Sequence, residues 1–169
     1  MGGTGGRWVR VAWRFGPPVL WMAVMGALST DAFSAEHTGR YLLPFLHWLL
    51  PGATPDTIEL LHVAIRKAMH LCEYGILALL WYQALRRPEA AWQTPVGLTA
   101  LGLAVALAAV DEFHQAFVPS RSGSMVDVGW DSLGAALALT VCCAFQCVRR
   151  VTPEGIRING GREEHASGK

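Results

Sequence analysis

Two stretches of this chain set ionisable side chains directly beside apolar ones. One is Asp111, Glu112, His114 and Gln115, followed by Arg121, Ser124, Asp127 and Asp131. The other is Lys67, His70, Glu73 and Tyr74. Helical spacing sorts them into stripes. Glu59, His62, Arg66, His70, Glu73 and Leu77 step by three or four residues and share one face, flanked by Lys67 and Tyr74. Asp111, His114, Gln115 and Val118 share a second face. Glu112 sits about 100° from Asp111 and pairs better with Gln115. Asp127, Asp131 and Gly134 form a third stripe, where Gly134 leaves room for another helix or a ligand to approach closely.

These residue types support three kinds of chemistry. Arg121 with Ser120, Ser122 and Ser124, helped by Lys67 or Arg66, suits a phosphate or carboxylate, the guanidinium gripping it by a bidentate fork. His70, His114, Asp111, Glu112, Asp127 and Asp131 include ligand types for a divalent metal. Crowded carboxylates and imidazoles also suit proton transfer. The third option is structural: Arg121 neutralises Asp111 and Asp127, and the cluster holds helix ends together. No H-E-x-x-H, G-x-S-x-G or P-loop motif is present to favour catalysis.

The elements that must position these groups are apolar. The chain has 169 residues, of which 52% are hydrophobic and only 16% charged, against about 25% charged in soluble proteins. Phe15 to Thr30, Ala90 to Val110 and Ser132 to Val148 carry no charge at all. A bilayer span takes ~20 mainly apolar residues, and charges near its centre are expensive enough to mark a functional position. The expected fold is therefore an all-α integral membrane bundle. It has four transmembrane helices, about Phe15 to Thr30, Ala68 to Leu85, Pro95 to Val118 and Val126 to Val148. Two other readings compete: a soluble bundle of unusually apolar helices, and a first run that is a cleaved signal peptide ending near Ser34 and Ala35.

Between the first and second spans, Leu42, Phe45, Leu46 and Leu49 recur at helical spacing with Trp48 beside them. This predicts an amphipathic surface helix, stopped by Pro51-Gly52. Thr54-Pro55 then offers an N-cap and a first-turn proline for a new helix running toward Leu85. Pro17-Pro18 are expected near the start of the first span, where proline is best tolerated. Residues 1–14 form a basic N-terminus, 15–150 the membrane domain, and 151–169 a disordered tail. With four spans, Arg7, Arg10, Arg14, Arg86, Arg87, Arg149 and Arg150 all fall on one side, which is then cytoplasmic together with both termini. The polar clusters lie on the other side. A net charge of +1 gives no nucleic-acid footprint. Cys72, Cys142, Cys143 and Cys147 make no disulfide framework and read as small core residues.

The motif Lys67-x-x-His70-x-x-x-Tyr74, then Asp111-Glu112-x-His114-Gln115-x-Phe117-x-Pro119-x-Arg121, then Ser124-x-x-Asp127-x-x-x-Asp131-x-x-Gly134, resembles the VanZ-like family of small bacterial membrane proteins. The likeness runs from about Phe15 to Val148. Asp131 and Ser120 depart from it, since the family commonly has Asn and Gly at those positions. The resemblance implies a multi-pass protein of the bacterial cytoplasmic membrane. It also implies a link to resistance to teicoplanin, a lipoglycopeptide that binds cell-wall precursors. The expected partners are membrane lipids and an anionic lipid or cell-wall precursor, with no nucleic acid. The expected ligand surface is Lys67, His70, Glu73, Tyr74, Asp111, Glu112, His114, Gln115, Arg121, Ser124, Asp127 and Asp131. A membrane-embedded metal or acid–base enzyme, and a non-catalytic protein with polar interhelix glue, are the rival readings.

Overall fold

The computed structural model describes residues 4–30, 35–87, 92–117 and 124–151. Five helices and no strand occur among them: α1 (Thr4–Leu28), α2 (Ala35–Leu49), α3 (Pro55–Leu85), α4 (Thr94–Gln115) and α5 (Met125–Val151). The 151–169 tail, apart from the last residue of α5, lies outside the described residues.

α3 is the axis of the bundle and packs against the other four helices. Its start follows from local chemistry. Thr54 is the N-cap and its side chain accepts the Thr57 N–H, while Pro55 fills the first turn, where its missing N–H is harmless. The helix then runs without a break for 31 residues, about 46 Å at 1.5 Å per residue.

The packing relies on small residues. Ala100, Ala104 and Ala108 are fully buried and recur every fourth residue, giving α4 a smooth face against its neighbours. Tyr74, Leu77, Ala78 and Tyr82 of α3 join them in the core with Ala135 and Leu139 of α5. At Gly134 the α3 and α5 backbones meet. A Cβ there would lie 2.6 Å from the Leu71 Cα, which realises the close approach expected of that glycine.

α1, α4 and α5 contain stretches long and apolar enough to cross a membrane: Gly6–Leu28, Thr94–Gln115 and Met125–Val148. Large apolar side chains face outward on them, including Trp13, Leu98 and Val141. α3 does not meet that measure, because His70, Glu73, Tyr74 and Gln83 interrupt its apolar half.

α1 differs from the expectation in one respect. It begins at Thr4, so Pro17 and Pro18 lie well inside it. Pro18 is fully buried. Interior prolines are tolerated in apolar helices whose neighbours fill the gap. α1 packs on α3 through Arg14, whose guanidinium donates to the Ala84 and Arg86 carbonyls, and through Trp21, whose indole N–H donates to the Glu73 carbonyl at 3.0 Å.

Candidate functional site

The polar stripes meet at one end of the bundle, where α1 and α4 finish and α5 begins. α3 brings Lys67 and His70 to this rim one turn apart. The Lys67 ammonium pairs with the Asp127 carboxylate from the first turn of α5. His70 Nδ1 lies 3.4 Å from Asp131 Oδ1, one turn further along α5. Asp131 is only 1% exposed, and neither of its oxygens has a hydrogen-bond partner among the described residues.

α4 contributes two acids with separate tasks. Asp111 Oδ2 accepts the Ser29 hydroxyl and the Gln115 amide, each at 2.9 Å. The first bond ties the end of α1 to the end of α4. Glu112 is buried and its Oε2 accepts the Ser124 N–H at 2.8 Å. Ser124 in turn begins α5, its carbonyl accepting the Asp127 and Val128 N–H groups and its Oγ the Val126 N–H. Glu112 thus fixes the entry of the helix that carries Asp127 and Asp131. The expected pairing of Glu112 with Gln115 is replaced by these two bonds, because Gln115 sits one turn from Asp111 on the same face.

Tyr74 is buried beneath this layer. Its hydroxyl has no hydrogen-bond partner among the described residues, and the carboxylates of Asp111, Asp131, Glu112 and Glu73 lie close enough to act on it electrostatically. Glu73 lines a cavity of about 80 Å³ between α1, α2 and α3, together with Ser29, Thr38, Arg66, Met69 and His70.

Not every expected residue joins the rim. His114 is exposed, one side of α4 away from buried Glu112 and Gln115. Its neighbours Phe113 and Phe117 are exposed and pack edge to face at 5.1 Å. His62, on the α3 stripe, is buried against Gly39 of α2 and not at the rim. Arg121, with Ser120 and Ser122, lies outside the described residues. Ser29 was not among the expected residues; a hydroxyl ending an apolar run carries no signal of its eventual partner 82 positions away.

One further expectation changes. Cys72 and Cys147 are exposed and Cys142 and Cys143 half-buried, so the cysteines line the outer surface more than the core. Among the described residues, no group of three or more His, Cys, Asp or Glu is arranged to hold a metal ion. The rim's acids are spread among separate partners instead of converging on one point.

Comparison with curated proteins and with solved structures returns no match. The VanZ/LLP1 family matches residues 18–146, which take in all of α2 to α4, the later part of α1 and most of α5, and the chain belongs to that family.

Proposed function

We propose that this VanZ-like membrane protein uses the rim to recognise an anionic component of the cell envelope, a lipid head group or a cell-wall precursor. The observation that carries the reading is the convergence of polar groups from α1, α3, α4 and α5 beside a cavity lined by Arg66, His70 and Glu73. Ionisable groups so close to apolar helices mark a working position. Arg66 from the cavity wall and Arg121 from the loop between α4 and α5 supply the anion contacts.

In this reading the apolar half of α3 is the fourth span and α2 lies at the membrane surface. The excess of arginines at the other end sets both termini in the cytoplasm, so the rim faces outward from the bacterial cytoplasmic membrane. Lipoglycopeptide resistance is then one cellular consequence of holding an envelope precursor.

The test is expression in a susceptible bacterium with wild-type protein and the Arg66→Ala and Arg121→Ala variants. The expected result is a rise in teicoplanin tolerance, or binding of an anionic envelope lipid by purified protein, that both variants lose. Retention of both properties by the double variant overturns the reading. Cysteine labelling from outside the cell at Thr54→Cys and at Gln93→Cys checks the orientation: only the first is labelled.

A second reading is catalytic, and the His70–Asp131 pair at the cavity edge favours it. A buried carboxylate beside one ring nitrogen orients the imidazole for proton transfer through the other. It predicts that His70→Gln stops turnover of a lipid-linked substrate and leaves its binding intact.

A further inference from the structure

At the end of the bundle away from the rim, an apolar groove of about 380 Å³ runs between α4 and α5. Trp92, Gly97 and Leu101 line one side, and Ala136, Leu139 and Ala144 the other. Apart from Trp92, these residues lie in the α4 and α5 stretches long and apolar enough to cross a membrane. In a membrane the solvent around such stretches is hydrocarbon.

The groove is held ready for an occupant. A Cβ on Gly97 would lie 2.5 Å from Trp92 Cζ2, so the missing side chain there seats the indole. The indole also stacks on Tyr82, which is fully buried. Trp92 is thus a fixed wall. Thr140, which also lines the groove, donates its hydroxyl to the Ala136 carbonyl at 2.8 Å and needs no polar partner from outside.

Shape decides between occupants. Ala136 to Ala144 covers ~12 Å of α5 at 1.5 Å per residue. Spread over that length, about 380 Å³ gives a cross-section on the order of 30 Å². A helix about 10 Å across fills roughly 80 Å². A helix of a second copy is too thick to enter, whereas an extended hydrocarbon chain is not.

A separate observation lies at the end of the groove. The Arg87 carbonyl accepts the Gln93 side-chain amide at 3.3 Å. Gln93 stands between Trp92 and Thr94, which both line the groove. The Arg87 side chain is exposed. α5 carries Arg149 and Arg150 between one and two turns beyond Ala144. The link from α3 to α4 adds one acid, Glu89, which lies outside the described residues. Basic residues where an apolar groove ends suit a phosphate, which a guanidinium grips as a fork.

We propose that the groove between α4 and α5 binds an anionic phospholipid, with one acyl chain along the groove and the head group at the arginine-bearing end. In the orientation proposed above, that lipid belongs to the cytoplasmic leaflet. The site is separate from the rim and does not depend on what the rim binds.

Native mass spectrometry tests this on the full-length protein, titrated in detergent micelles with dioleoyl phosphatidylglycerol or dioleoyl phosphatidylcholine. The expected result is retention of phosphatidylglycerol at least about fivefold tighter than phosphatidylcholine. Ala144→Trp, at an exposed position in the groove, weakens both lipids about fivefold or more. Arg87→Gln, Arg149→Gln and Arg150→Gln combined bring the two lipids within about twofold of each other. Equal or tighter binding of phosphatidylcholine by wild type overturns the proposal. So does undiminished phosphatidylglycerol binding by an Ala144→Trp protein that melts like wild type, or an unchanged preference in the arginine variant. Leu98→Trp, exposed on the α4 side of the groove, takes the place of Ala144→Trp if the latter does not fold. A dimer in place of bound lipid, lost in Ala144→Trp, assigns the groove to a second copy and also overturns the proposal.

Discussion

The two ends of this bundle are made by the same helices and solve opposite problems. At the α4 start, polar groups serve closure. The Tyr82 ring stacks on Trp92 with centroids 4.5 Å apart, and its oxygen accepts the Gln93 N–H at 3.2 Å. Arg14 reaches across to the carbonyls that end α3. Beside them, an apolar groove of about 380 Å³ runs between α4 and α5, lined by Leu98, Leu101, Leu139 and Ala144 among others. At the rim, side chains pair with side chains from other helices, and buried oxygens of Tyr74 and Asp131 keep unused hydrogen-bonding capacity among the described residues. Native interiors satisfy nearly all such groups. That contrast between the ends is what the proposed recognition role expects of the rim.

Substitutions at the two ends can break that contrast. The largest effect is expected from Tyr82→Ala, which removes a fully buried aromatic from the closed end. About 3–5 kcal/mol should be lost in a thermal melt of the micellar protein. Gly134→Val comes next: its side chain would strike the α3 backbone at Leu71 and force the helices apart. A loss of about 1–3 kcal/mol is expected from the overpacking. Lys67→Ala should cost less than about 1 kcal/mol, since Lys67 and Asp127 are 33% and 29% exposed and their pairing is weakened by solvent. A loss as large as that of Tyr82→Ala would make the rim structural glue and erase the distinction between the ends. The smallest effect belongs to Tyr74→Phe, which deletes a hydroxyl with no partner among the described residues. The melt should stay within about 0.5 kcal/mol or rise. A clear fall would mean that the hydroxyl is satisfied in the protein as it stands.

The parts of this picture that rest on neighbouring residues were legible in the sequence. Thr54 and Pro55 announce the start of α3, and Pro51-Gly52 the end of α2, because capping and turn chemistry act within a few residues. The α3 stripe through His70 and Glu73 follows from helical spacing alone, and Gly134 signals a close approach without naming what approaches. The pairings were not legible. That Ser29 ends beside Asp111, or that Glu112 takes the Ser124 amide, depends on which helix stands next to which. Tyr74 reads as flanking a polar stripe, yet α4's Ala100, Ala104 and Ala108 draw it into the core. His114 fails for a related reason. Its spacing matches Asp111, but the buried face of α4 is centred on Glu112 and Gln115. Pro17 and Pro18 mark a helix start in water, and the packed surroundings of α1 permit them mid-helix.

α1 is anchored to its neighbours at three points: by Arg14 on the terminal carbonyls of α3, by Trp21 on the Glu73 carbonyl, and by Ser29 on Asp111. A strut held along its length in this way resists sliding lengthwise against α3 and α4. When the surrounding lipid thickens or thins, tilting of the helices together is the response these ties favour over sliding of α1 alone.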